Sequence, residues 1–463
     1  MNNSQRANAS KHENGVDFIS NMPGPILQLI LQGLPTTEEV VRTSILSRRW
    51  RYLWTYIPSI DLDVSRGPKN AKQPQEEIFK DFVSWVLENK TLGLDSFRLS
   101  CLNYYMPETI WQWVDAAVVR KVKRLDLAFF TRLAGPDITL PHFDSLESLR
   151  LDFYQRSYLA YPDDTSFPAL RFLELNNLFV ENLDVVERLS KMCPLLEELS
   201  LIDCFIRCFR FYDTLCISCP KLKTLRIHKQ TCDSYGRGIS HFCIKVSCPE
   251  LLLLELVSLE VKDHLILLNV DCLKKVLILP QFILQKKVSS QLGDTIWELV
   301  AGISHVESLS LNLFIFRCID AVGDLIRTLP ASLPNLKKLE ITTTTDGFTL
   351  NIIIGIIRCC PILESLHLII EEESSKPEYW ELDEVESREI LTRHLKRVEF
   401  CEFDGEKHKL VMARWLLKYA NALEEMVFNW CNEVMYLEKS TETMNQVSKV
   451  NKASSTVSHV DAF

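Results

Sequence analysis

The chain has 463 residues, 47% hydrophobic and 24% charged, which excludes an intrinsically disordered protein and leaves room for several core-sized units or one long repeat array. A net charge of −9 excludes indiscriminate nucleic-acid binding, and only 14 glycines weigh against a glycine-rich phosphate loop as a central feature. Residues 1–16 lack the apolar run of a signal peptide, and no apolar window reaches the roughly 20 residues of a membrane span. The expectation is a cytoplasmic or nuclear protein with no membrane attachment, whose 15 cysteines stay reduced.

Residues 1–16 read as a polar, disordered tail. From Asp17 to Val64 the chain is dense in apolar and aromatic residues. Ser20 is placed to cap a first helix, with Pro23 and Pro25 in its first turn, where a missing N–H costs little. Ile26, Leu27, Ile30, Leu31 and Leu34 follow at helical spacing, and Gly33 and Pro35 end the helix. Thr36 and Glu39 form a capping-box pattern for a second helix carrying Val40, Val41, Ile45 and Leu46. Ser47 is placed to cap a third helix with Trp50, Leu53 and Trp54, which Pro58 stops. Three short helices make a small core with apolar surface to spare. That surplus either docks on a partner or packs onto the remainder of the chain, and the pattern alone leaves both open.

The residues Asp17, Ile19, Ser20, Met22-Pro23, Ile26-Leu27, Leu34-Pro35-Thr36 and Val40, with the run from Arg42-Thr43-Ser44-Ile45-Leu46 through Ser47-Arg48-Arg49-Trp50 to Arg51-Tyr52-Leu53-Trp54, resemble an F-box. The likeness is to the plant type that precedes leucine-rich repeats. Met22 stands where leucine is usual, and Gly24-Pro25 where an acidic residue often sits.

Residues 65–92 read as a linker followed by a helix carrying Phe79, Phe82, Val83, Val86 and Leu87 on one side. From residue 93 to 377 the chain repeats, and the pattern runs on beyond. Its core is apolar-x-x-apolar-x-apolar, a short strand with alternate residues inward. Thirteen copies run from Leu94-Phe97-Leu99 to Leu423-Met426-Phe428, spaced 22 to 33 residues apart. Helical patterns lie between some strands, as at Leu183, Val186 and Leu189, or at Ile352, Ile353, Ile356 and Ile357. One such unit cannot bury its apolar face alone, so neighbours must stack. The fold class expected is an α/β solenoid: a three-helix N-terminal unit, then an irregular leucine-rich-repeat horseshoe with a parallel concave sheet and helices outside.

Cys193, Cys219, Cys248 and Cys360 each precede a proline and a strand core, so they read as buried packing residues. The Cys216/Cys219 pair lacks the second pair that a zinc site needs, and no metal or cofactor is expected. No phosphate-loop, dinucleotide, zincin or nucleophile-elbow motif is present, and the 10 histidines are scattered, so no catalytic residues are assigned. The acidic stretch 371–389 reads as a solvated loop. His394 to Phe428 reads as strand, turn at Asp404-Gly405, helix and strand, with Leu410, Ala413, Leu416, Leu417 and Ala420 on the buried side of the helix. Leu395-Lys396, Val398-Glu399, Phe403, Gly405, Leu410, Leu416-Leu417, Ala420, Leu423-Glu424 and Met426 resemble the FBD module of plant F-box proteins, placed over 378–431. Residues 432–463 turn polar and are expected to be a disordered tail.

The resemblance implies a substrate-recognition subunit of an SCF-type ubiquitin ligase. Its F-box, 17–64, docks on a Skp-type adaptor and through it on the cullin–RING core, and its repeats hold a target protein. Docking residues implied are Pro23, Ile26, Leu27, Ile30, Leu31, Leu34, Val40, Ile45, Leu46, Trp50, Leu53 and Trp54, several of which must instead form the unit's own core. Outward strand positions mark Arg150, Glu174, Arg226, Glu255, Glu340 and His367 as candidate target contacts.

Overall fold

The computed structural model describes residues 22–66, 75–91, 93–104, 107–130, 138–139, 141–160, 165–180, 184–206, 214–229, 243–258, 264–279, 302–312, 332–344, 349–371, 394–431, 433–449 and 458–462. The tail 1–16, Ser20, most of the linker and all of the acidic stretch except Glu371 lie outside these residues. Two compact units divide the chain, Met1–Phe130 and Thr131–Phe463.

The first unit opens with helix α1, Gly24–Gln32, which has Pro23 as N-cap and Pro25 in its first turn. Helix α2, Thr37–Arg42, starts as the capping pattern requires, with the Glu39 N–H donating to Thr36 Oγ1 at 3.3 Å. It ends sooner than expected. Thr43 Oγ1 donates back to the Val40 carbonyl at 2.7 Å, and Thr43–Ile45 continue as a 3₁₀ turn. The third helix is a 3₁₀ helix, Trp50–Tyr56, and Arg49, not Ser47, stands at its N-cap. Its tightening has the same cause: Thr55 Oγ1 donates to the Tyr52 carbonyl three residues back at 2.8 Å.

Beyond Pro58 comes strand β1, Ser59–Asp63, which the expected boundaries left inside the helical unit. Its inward residues are Ile60 and Leu62, too short an alternation to set the strand apart from the helical pattern before it. After helix α3, Gln75–Asn89, β1 pairs in parallel with β2, Ser96–Tyr104, setting Ile60 beside Phe97 and Leu62 beside Leu99. Helix α4, Pro107–Val119, then leads to β3, Arg124–Phe130, which extends the parallel ladder.

In the second unit a parallel ladder runs through Ser148–Ala160, Phe172–Val180, Glu198–Ile206, Thr224–Lys229, Leu253–Val257 and Lys275–Leu279. It continues through Ser308–Asn312, Lys338–Thr344, Ser365–Glu371, Arg397–Phe403, Glu425–Trp430 and Ser458–Ala462. All thirteen repeat cores run into strands, and within each unit their apolar residues stack in register and, Leu311 excepted, are buried. This is a solenoid-like leucine-rich-repeat arrangement.

Two expectations are corrected. Helices do lie between strands at Asp184–Met192, Thr349–Arg358 and Lys407–Tyr419. In three middle repeats, however, the described part of the connection contains a strand: Thr214–Ile217, Cys243–Ser247 and His264–Leu268 form their own parallel sheet. Leu215 and Ile217, like Ile244 and Val246, alternate inward with a period of two, which no helix can bury on one face. The polar C-terminus also folds. Helix Glu433–Ser448 packs on helix Lys407–Tyr419, burying Thr443 and Val447, and strand Ser458–Ala462 pairs with Glu425–Trp430. The sheet therefore ends at 458–462, not at 425–430.

Cys193, Cys219, Cys248 and Cys360 are all at most 2% exposed. Burial pushes the thiols of Cys193 and Cys219 up to about 12, so they pack as neutral groups. Among the described residues no three His, Cys, Asp or Glu side chains are placed to hold a metal ion.

Candidate functional site

Helix α1 is apolar on two faces, and the structure separates them. Leu27 and Leu31 are fully buried and meet Val40, Trp50 and Trp54 in the core of the first unit. Ile26, Leu29 and Ile30, spaced i, i+3, i+4, point to solvent. The turn after α2 and the 3₁₀ helix, which pack against each other, add Ile45 at 88% exposure, Leu46 at 60%, Tyr52 at 65%, and Tyr56. Seven of the thirteen exposed large hydrophobics among the described residues thus fall between residues 26 and 56. Scattered exposure would not concentrate in so short a stretch, and α1 and the 3₁₀ helix that carry these side chains also touch, which makes them a candidate apolar surface. The exposed Arg42, Arg48, Arg49 and Arg51 interleave with them in sequence.

Of the twelve residues singled out in this segment, the structure exposes Pro23, Ile26, Ile30, Ile45 and Leu46, half-buries Leu34 and Leu53, and buries Leu27, Leu31, Val40, Trp50 and Trp54. The last five hold the surface up and do not line it. Leu29, Tyr52 and Tyr56 belong to it and were not anticipated, although Leu29 follows from the three-residue step after Ile26.

The second candidate surface is the sheet face opposite the leucines. Arg150, Glu174, Ser200, Arg226, Glu255, Leu277, Ser310, Glu340, His367 and Glu399 lie side by side on successive strands, one transverse row that contains all six expected positions. Their charges answer one another along the row. Arg226 Nε lies 3.4 Å from Glu255 Oε2, and Glu255 Oε1 lies 2.7 Å from His228 Nε2. Ser310 Oγ donates to Glu340 Oε1 at 2.7 Å. Ser365, His367 and Glu399 trace the outline of a nucleophile, base and acid, with His367 Nε2 at 3.0 Å from Ser365 Oγ. His367 Nδ1 is 3.6 Å from Glu399, too long for a hydrogen bond, and Glu399 is already held by Arg397 and Asn429. The amides of these paired strands are spent on the ladder.

The F-box domain family model matches residues 19–60, the segment that carries the apolar surface. The family model described as "FBD-associated F-box protein At5g56370, LRR repeats" matches residues 110–237. This chain carries an F-box and FBD-associated leucine-rich repeats. It is 25% identical to an FBD-associated F-box protein of Arabidopsis thaliana over 90% of this chain and 88% of the relative. It is 27% identical to F-box/LRR-repeat protein 13 of the same plant, over 86% and 92% respectively. A putative F-box/FBD/LRR-repeat protein of that plant is 38% identical over 40% of each chain.

The F-box is not simply appended to the repeats. Thr37 Oγ1, on its second helix, accepts the N–H of Asp61 in β1 at 2.7 Å, and Glu38 Oε1 accepts that of Asp63 at 3.5 Å. Asp61 in turn meets Arg98 of β2 at 3.1 Å, and Arg98 meets Asp126 of β3 at 3.4 Å. The F-box thus leads straight into the first strands through polar contacts within one compact unit.

Proposed function

We propose that this protein is a substrate-recognition subunit of an SCF-type ubiquitin ligase. The observation that carries the reading is the exposure of Ile26, Leu29, Ile30, Ile45, Leu46 and Tyr52 in a segment whose Leu27, Leu31, Val40, Trp50 and Trp54 are buried. A Skp-type adaptor covers this surface and links the chain to the cullin–RING core. The repeat array holds a target protein, with the row from Arg150 to His367 as its contact face and 378–431 acting as an FBD module. The chain makes no bonds itself: it raises the effective concentration of the target near the ubiquitin-loaded enzyme. The compartment that goes with this reading is the cytoplasm or nucleus.

The test is binding of the full-length chain to a purified Skp-type adaptor. Ile45→Glu and Leu46→Glu each bury an unpaired charge in the interface and are expected to weaken binding at least 100-fold without changing the melting temperature. A folded wild-type chain that binds no adaptor would instead mark a repeat scaffold outside ubiquitination.

A further inference from the structure

We infer that Lys90 is the positioning residue that fixes the F-box in one orientation on the strands that follow it. Lys90 stands just beyond the last turn of α3, at only 8% exposure. Its Nζ donates to three backbone carbonyls: Trp54 at 3.0 Å, Ile57 at 2.7 Å and Ser59 at 3.3 Å. An ammonium has three donors, and here each has one acceptor. The three acceptors span the junction. Trp54 lies in the last helix of the F-box, Ile57 caps that helix, and Ser59 opens β1. The same amine sits 5.6 Å from the Trp54 ring centroid.

Neighbouring contacts agree with this assignment. The Trp54 and Trp85 rings lie 4.9 Å apart, joining the F-box to α3. The Thr91 N–H donates to the Thr55 carbonyl at 3.4 Å, and the Thr91 hydroxyl to the same oxygen at 3.3 Å. Thr37 and Glu38 bind β1 from α2, and Lys90 binds both ends of the Ile57-Pro58 passage from a third element.

The choice of lysine is informative. Asp61 lines the same small cavity, but its carboxylate is engaged by Arg66 and Arg98, so Lys90 is bound by neutral oxygens alone. Burying an ammonium without a carboxylate partner costs stability that a methionine of similar size would not. A costly polar group with every donor matched specifies one arrangement of the backbone around it. Lys90 would hold the F-box in this way whatever the F-box docks on, with or without ubiquitination.

The test is a distance distribution in the full-length chain. Spin labels on ketone-bearing unnatural residues at Arg51 and Val119, both exposed, leave the native cysteines untouched. The wild type is expected to give one narrow peak. Lys90→Met and Lys90→Gln, measured where circular dichroism shows them folded, should at least double its width, while unlabelled Lys90→Met binds a Skp-type adaptor within twofold of wild type. A merely structural lysine would lower the melting temperature and leave the width unchanged. A broad wild-type distribution, an unchanged width in either folded variant, or loss of fold in both variants would each overturn the proposal. Failure of the wild type to bind adaptor would bear on the ligase reading alone.

Discussion

Arg150 Nε lies 2.9 Å from Glu174 Oε1 on the next strand, so two of the six candidate target contacts are partners of each other. Glu174 also accepts from Asn176 Nδ2 at 3.0 Å. Because Arg150 is 44% and Glu174 22% exposed, solvent screens the pair, and a double-mutant cycle to alanine should give a coupling of roughly 0.5 kcal/mol that shrinks in high salt. Coupling well above 1 kcal/mol would mean that the row is built for stability and is less available to a target.

A second row lies one position N-terminal to the strands. Glu147, Arg171, Glu197, Lys223, Leu252, Lys274, Glu307, Lys337, Glu364, Lys396 and Glu424 are linked in turn by backbone N–H to carbonyl bonds of 2.7–3.0 Å. Their signs alternate except at Leu252, which stands 40% exposed between two lysines. Glu197, held by Arg171 and Lys223, has its carboxyl drawn below the usual range by those hydrogen bonds. Leu252→Glu restores the alternation and removes an exposed leucine. The variant is expected to melt at or slightly above the wild-type temperature, whereas Leu252→Lys, placing three cations in line, should melt lower.

Adjacent residues of α1 should behave in opposite ways. Ile30 is exposed and Leu31 is fully buried, one step apart. Ile30→Ala should leave chemical denaturation unchanged and weaken adaptor binding. Leu31→Ala opens a cavity in the F-box core and should cost about 2–5 kcal/mol in the unfolding of the first unit.

Gly405 adopts φ +73°, and a Cβ there would come within 3.1 Å of Lys439 and 3.3 Å of Thr443 on the helix above. Gly405→Ala therefore carries both left-handed backbone strain and a clash, and should destabilise by about 1–3 kcal/mol. Removing residues 433–463 relieves the clash but not the strain, so in that shortened chain the cost of Gly405→Ala should fall without vanishing. Equal costs with and without the segment would mean that the helix does not press on this turn.

The parts of the fold that the sequence makes legible are those with one polar and one apolar side. Leu146-x-x-Leu149-x-Leu151 announces a strand because its neighbours Ser145, Glu147, Ser148, Arg150 and Asp152 are polar, and thirteen copies fix the architecture. Helix α1 defeats the same logic: with Ile26, Leu27, Leu29, Ile30 and Leu31 all apolar, periodicity cannot say which residues the core takes. The C-terminal helix fails for another reason: it buries Thr443 and exposes Leu437, the reverse of what side-chain polarity suggests. The charges from Glu147 to Glu424 stand in the sequence directly after the first apolar residue of each unit, alternating in sign except at Leu252, and support the register. Lys90 was not legible at all, since a lysine at a helix end ordinarily reads as a solvated group near the dipole's negative pole.

Lys90 also makes a prediction about pH. Burial lowers its pKa from 10.5 to about 8 in the folded chain. Below pH 8 the amine is charged in both the folded and unfolded states, and the burial penalty is fully present. Between pH 8 and 10.5 the unfolded chain binds the proton and the folded chain does not, so the penalty is relieved as pH rises. Above 10.5 both states are neutral and the relief is complete. The stability of wild type relative to Lys90→Met should therefore rise by about 3 kcal/mol across that window, as read by urea denaturation of both chains at pH 7 and at closely spaced higher values. A difference that stays flat from pH 7 to 10 would mean that the three carbonyls hold the proton against desolvation and keep the amine's pKa near its ordinary value.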